Sequence, residues 1–159
     1  MRTLFPLLAF ALSLTPAAAA SLKIGDISID DAWARATPKG AEVGAGYLTI
    51  HNDGASADRL TGITADFAQV QVHEMKTANG VMEMREVTEG LEIPAHATLK
   101  LAPGGYHLMF VGLKKPLVKG ETAKATLSFA HAGQGAVEFP VMGAGAAGPG
   151  GAMTPMKGM

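Results

Sequence analysis

Three short patterns in the chain carry side chains able to hold a soft metal ion. The first is His107-Leu108-Met109. On a strand, positions i and i+2 share a face, so an imidazole and a thioether stand side by side. The other two flank Asn79-Gly80: His73 and Met75 share a face of one arm, and Met82 and Met84 a face of the other. Where the arms pair with these faces together, a histidine meets one or more methionines. Two imidazoles with two thioethers suit a soft cation of low coordination number. Neutral imidazole accepts copper or zinc, but thioether sulfur selects Cu(I). Zinc sites use Cys, His and carboxylates, and magnesium or calcium want oxygen. Donor type therefore points to Cu(I). Only the neutral ring ligates, so affinity is expected to fall as pH drops through the histidine range near ~6.5. A Met-x-Met pair on a strand also serves as core packing, and the residues alone leave both readings open.

The remaining histidines read as structural. His51 precedes a turn, His96 follows Pro94 in a loop, and His131 lies in a polar turn. Ser21-Leu22-Lys23 has no histidine at its third position, so this stretch is no amino-terminal Cu(II) motif.

Composition narrows the function further. The chain has 159 residues, 48% apolar and 17% charged, which is one domain with a sizeable core and not a solvated disordered chain. Lys and Arg number 13 against 14 Asp and Glu, so no basic excess is available for a phosphate backbone. There is no cysteine. That removes disulfides, CxxC redox chemistry, zinc-thiolate sites, a Cys nucleophile and a blue-copper electron-transfer centre, which needs a thiolate. No G-x-S-x-G or H-E-x-x-H occurs, and no enzyme activity is read. Nine methionines are the remaining soft donors.

The elements that must position these donors read as all-β. Residues 1–20 have the features of a cleaved export signal: Arg2, an apolar run from Leu4 to Leu14, and Ala18-Ala19-Ala20 before the cut. The run is shorter than the ~20 residues that span a bilayer. No cysteine follows the cut, so a lipidated amino terminus is not expected. Turn signals then recur every 8–12 residues, the spacing of a sandwich or barrel. They include Gly25-Asp26, Pro38-Lys39-Gly40, Asn52-Asp53-Gly54, Pro94-Ala95-His96 and Pro103-Gly104-Gly105. Asn79-Gly80 between Val70–Met75 and Val81–Val87 is the strongest hairpin signal. The last strand is placed at Val137–Val141, with a single helical turn admitted around Ala65–Ala68. The domain is bounded at 21–142. Residues 143–159, mostly Gly, Ala, Pro and Met, read as a flexible tail. Met142 at its border and Met153, Met156 and Met159 within it are further soft donors.

His73-Glu74-Met75, Val81-Met82-Glu83-Met84-Arg85 and Pro103-Gly104-Gly105-Tyr106-His107-Leu108-Met109 resemble the PCuAC family of periplasmic copper chaperones. So do Ala32-Trp33-Ala34-Arg35-Ala36-Thr37-Pro38, Tyr47-Leu48-Thr49-Ile50-His51-Asn52, Asp58-Arg59-Leu60, Leu91-Glu92-Ile93-Pro94 and Gly112-Leu113-Lys114. The resemblance spans nearly all of residues 21–142. It implies a cupredoxin-like Greek-key β-sandwich without blue-copper ligands. It implies one Cu(I) held near the surface by His73, Met84, His107 and Met109, with Met75 a neighbour and Met82 a competitor of Met84. It also implies a periplasmic carrier that delivers copper to the CuA centre of cytochrome c oxidase subunit II, with Sco/SenC-type proteins as companions. A monomer is expected. Copper storage or resistance, and a metal-free structural sandwich, stand as the alternatives.

Overall fold

The computed structural model describes residues 21–149. The expected export signal at 1–20 and the last ten residues of the expected tail lie outside the described residues. Every regular element among the described residues is a strand: β1 (Leu22–Ile24), β2 (Ile27–Arg35), β3 (Val43–Asn52), β4 (Asp58–Thr64), β5 (Gln69–Ala78), β6 (Val81–Glu86), β7 (Leu91–Ile93), β8 (Thr98–Leu101), β9 (Tyr106–Val111), β10 (Thr122–Phe129) and β11 (Gly133–Met142). The all-β sandwich is as expected. The stretch around Ala65–Ala68 is a bend, not a helical turn.

The strands run in the order β6-β5-β9-β3-β2-β11-β10-β4-β7, with β1 on β2 and β8 on β3. Two layers form because this ribbon folds over at β11. Its last residues join β2 in parallel, Val141 beside Ala34 and Met142 beside Arg35, while the rest of β11 pairs antiparallel with β10. The inner faces alternate in the usual strand period. Leu48 and Ile50 of β3, Leu108 and Phe110 of β9, Leu127 of β10 and Phe139 of β11 are all at most 1% exposed. Phe110 meets Phe67 and Phe139 edge-on, with centroids 5.1 and 6.1 Å apart. Gly46 is required beneath this cluster, since a Cβ there would lie 2.7 Å from the Phe110 ring.

Two local features aim side chains outward. A bulge on β2 sets two residues, Asp31 and Ala32, against one on β3. Ile27 and Ile29 enter the core before it, and Ala34 after it. Trp33 and Arg35 are thereby turned to the outer face beside Tyr47. The β5–β6 hairpin closes through Asn79-Gly80, both with positive φ (51° and 78°), the type I′ geometry that this dipeptide favours. Beyond Val72 the hairpin extends past the core, and its inward positions become Glu74, Lys76, Glu83 and Arg85.

β11 is longer than the expected Val137–Val141. Glycines at 133 and 135 carry no strand preference, yet a Cβ at 135 would lie 2.4 Å from the Ile24 side chain. The sandwich also holds the chain past Met142: Ala146 donates its N–H to the Gly143 carbonyl, and its own carbonyl accepts from Arg35 Nη2 at 2.9 Å.

Candidate metal centre

Strand pairing gathers the donors on one outer face. His73 of β5 lies directly opposite His107 of β9, and Gln71 opposite Met109. Directly opposed residues point to the same side. On the other flank of β5, Met75 faces Met84 of β6, and Thr77 faces Met82. Across four strands this face carries Met82 and Met84, then Met75 and His73, then His107 and Met109, then Tyr47. The hydrophobic side chains Leu108, Val72 and Phe110 alternate with the donors and fix the register by packing into the core.

The two imidazoles are tilted 35° to one another, with centroids 5.8 Å apart. His107 is only 6% exposed. Its Nδ1 lies 3.2 Å from the Gly105 carbonyl oxygen. A carbonyl only accepts, so Nδ1 carries the proton and Nε2 holds the lone pair. His73 Nε2 lies 3.0 Å from Gln71 Oε1, which assigns its proton to Nε2 and its lone pair to Nδ1. That Nδ1 is buried and has no hydrogen-bond partner. Burial, and then the adjacent His107, hold the His73 pKa below the ordinary histidine range, against an opposing pull from Glu86. The lowered pKa favours the neutral ring, and with Nε2 donating to Gln71 the buried Nδ1 lone pair has no donor to fill it. Such a group costs about 1–3 kcal/mol unless something binds it. A soft cation is one kind of partner able to fill it.

The thioethers are graded by position. Met109 and Met75 are half-buried and line an open cleft of about 360 Å³ with His107, Tyr47, Pro103 and Gly104. Met84 is 53% exposed on β6, which forms the edge of the sheet. It is diagonal to His73, which pairs with Glu86. Met82 is a further two residues along, and its sulfur accepts the Thr77 hydroxyl at 3.2 Å. His73, His107, Met109 and Met84 thus share one face, with Met75 between His73 and Met84. Among the described residues no group of three His, Asp or Glu side chains is gathered for a metal. Sulfur is what could complete a coordination shell here.

His51, His96 and His131 lie elsewhere. His51 bridges Thr98 and Asp30 (2.8 and 3.3 Å) on the far end of the β2–β3–β8 face. His96 sits at positive φ in its loop. The His131 N–H donates to Asp58. Gln71, which orients the His73 ring, was missed by the sequence reading. Its position two residues before His73 on the same strand was the available signal.

The LpqE-like lipoprotein family model matches residues 27–141. The chain is 37% identical over 116 residues to Lxx21020 of Leifsonia xyli subsp. xyli (strain CTCB07), a protein whose name refers to lipoproteins; the match covers 72% of this chain and 69% of that one. Among solved structures, the copper-bound PCuAC domain from PmoF2 superposes with a TM-score of 0.65 and 29% identity, covering 78% of this chain and 98% of that one. The Cu(I) form of DR1885 from Deinococcus radiodurans gives a TM-score of 0.58 and 30% identity, covering 77% of this chain and 80% of that one.

Proposed function

The chain belongs to the LpqE-like family, and from that premise we propose that it is an exported Cu(I) metallochaperone of the PCuAC type. The observation that carries this reading is the His73–His107 pair, with the buried His73 Nδ1 lacking a partner, on a face that also presents Met75, Met84 and Met109. Solved PCuAC domains of the same fold, two of them copper-bound, support it. The ligands are His73, Met84, His107 and Met109.

The geometry suits a carrier. Two imidazoles and two thioethers are all neutral, so the loaded site keeps the ion's single positive charge. Soft neutral donors hold Cu(I), and a thiolate-containing acceptor holds it more tightly, so transfer runs downhill. His107 is buried and His73 half-buried, whereas Met84 is exposed on an edge strand. An incoming acceptor ligand reaches the ion from the Met84 side, displaces that thioether first, and draws the ion off the histidine pair last. Transfer by this route passes the ion directly between ligands, without a free-ion step. The acceptor we favour is the CuA centre of cytochrome c oxidase subunit II, with Sco/SenC-type proteins keeping its thiols reduced. The protein acts in the periplasm after removal of residues 1–20. The family's name speaks of lipoproteins, but these 159 residues contain no cysteine thiol for a lipid to join.

The test is a Cu(I) titration against a colorimetric chelator. One equivalent binds, and His107→Ala weakens binding by more than the ~10–100-fold typical of losing an outer partner of a metal ligand. Binding unaltered in His107→Ala and in His73→Ala would remove the copper reading from this face.

A further inference from the structure

The copper reading leaves the Trp33-Ala34-Arg35-Ala36-Thr37 segment without a role. The β2 bulge turns Arg35 to the same outer face as the histidine pair. Its guanidinium lies 5.8 Å from the Trp33 ring centroid and 5.6 Å from that of Tyr47, and those two rings are 4.5 Å apart. Nη2 donates to the Ala146 carbonyl at 2.9 Å. The group is thus held on two rings and a backbone oxygen. Its Nε is buried and donates to nothing. Ion pairs among the described residues involve Lys23, His51, Arg59, Arg85 and Lys124, never Arg35. The carboxylate on this face of the hairpin, Glu86, stands four strands away in the sheet order, about 19 Å at the usual strand spacing.

Thr37 is fixed next to it. Its N–H donates to the Leu117 carbonyl, and its Oγ1 accepts from the Leu117 N–H, both at 2.9 Å. The hydroxyl proton is left to donate. Arg35 and Thr37 line the cleft of about 360 Å³ whose other wall is Met75, His107 and Met109.

We propose that this cleft is a carboxylate-binding subsite, with Arg35 supplying the charge and Thr37 a second donor. The buried Nε lies out of a ligand's reach, but the guanidinium brings a positive charge to the cleft, and its Nη edge matches a planar pair of oxygens. One cation and one hydroxyl balance one negative charge; a phosphate would bring a second charge and a third oxygen with no donor to meet them. The carboxylate comes from a small organic acid or from an Asp or Glu of a docking protein. Either would sit beside His107 and Met109. An anion there and a cation on the histidine pair favour each other, and the coupling is reciprocal.

Trp33 is the sole tryptophan and lies under the guanidinium, so its fluorescence reports on the subsite. The metal-free full chain is titrated with sodium acetate, with sodium chloride holding ionic strength constant. A saturable change is expected, lost in Arg35→Gln and about tenfold weaker in Arg35→Lys, which keeps the charge and loses the fork. The thermal midpoint of each variant shows that it is folded. The proposal is overturned by a non-saturating response, by the same response to chloride, by a response retained in Arg35→Gln, or by inorganic phosphate saturating at lower concentration. A blocked Asp-containing tripeptide forms the second arm. Saturation below the acetate concentration assigns the carboxylate to a protein side chain, and saturation at an equal concentration assigns it to free acids. No copper is present, so failure here leaves the copper reading untouched.

Discussion

Two hairpins of this sandwich are built alike and used differently. β10–β11 pairs over eight residues from Thr122 opposite Pro140 to Phe129 opposite Gly133. Ala123, Ala125, Leu127 and Phe129 alternate into the core, as do Val137, Phe139 and Val141 from the other arm. β5–β6 pairs over six residues around the Asn79-Gly80 turn. Yet every residue of β6 is exposed, and the inward side of the hairpin beyond Val72 carries ion pairs such as Arg85–Glu74 (3.2 Å) in place of apolar side chains. One hairpin is held by what it buries. The other is held by its turn and by the pairing of β5 with β9, and its side chains remain free for ligands. The same contrast holds for polar groups. Asp58, 7% exposed, accepts N–H bonds from Arg59, His131 and Ala132 at 2.7–2.9 Å and is fully used inside the fold. His73 Nδ1 is equally hidden and has no partner. A buried acceptor that the fold fills is structural; one that it leaves empty is a place for something else.

The sharpest way to test that contrast is to damage the buried hairpin. Phe139 is completely buried and meets Phe110 edge-on. Phe139→Ala should cost about 3–5 kcal/mol of stability through lost burial and the cavity left behind. Urea unfolding monitored by Trp33 fluorescence measures it. The folded fraction should bind copper with little change in affinity, because Phe110 of β9 keeps its contact with Phe67 when Phe139 is truncated. Equal loss of both properties would mean that the two halves are not separable.

Asp58 gives the next largest effect. Burial, the largest single influence, pushes its carboxyl up, but the three backbone N–H donors and the nearby His131 outweigh it and hold the pKa below the ordinary range. A carboxyl whose folded pKa is below its unfolded value adds stability above the unfolded pKa. That stability is lost as pH falls through the folded value, so the loss begins near pH ~4 and continues downward. Asp58→Asn turns an amide toward N–H donors and should cost about 1–3 kcal/mol at neutral pH. Its acid unfolding limb should be flatter than that of the parent chain. A parallel limb would show that other carboxyls set the acid stability. No copper-affinity change is expected.

These contrasts were legible in the sequence to different depths. The β5–β6 hairpin was, because Asn79-Gly80 needs no distant partner to act. The sharing of a face by His107 and Met109 was, because the strand period is local. That His107 sits opposite His73 was not: residues 73 and 107 are joined only through β9 inserting between β5 and β3, a choice made by Val70, Val72, Leu108 and Phe110 filling one core. The β2–β11 parallel closure was hidden for the same reason. The role of Arg35 depended on the bulge at Asp31–Ala32, where a non-glycine residue at φ 52° gives no advance signal. Gly135 falls outside the expected Val137–Val141 strand and is a strand residue, with Ile24 occupying the space of its missing side chain.

The smallest effect is the most discriminating within the hairpin itself. Met82 and Met84 are 55% and 53% exposed on the same face of β6, so the cost of truncating either should be within about 0.5 kcal/mol. They differ in register. Met84 is diagonal to His73 and directly across from Met75, while Met82 lies farther out and already receives the Thr77 hydroxyl. Met84→Ala should therefore weaken Cu(I) binding about tenfold, roughly 1.4 kcal/mol, the scale of losing one soft donor from a four-donor site. Met82→Ala should leave it unchanged. Competition titrations on the two variants, with Met75→Ala alongside, separate the cases. If Met75→Ala falls and Met84→Ala does not, the inner thioether is the ligand and the edge strand only shields it. If neither falls alone but the double variant does, the two sulfurs substitute for each other across the strand pair. The exposed hairpin would then owe its freedom from core packing to exchange between ligands, something the buried β10–β11 hairpin could not provide.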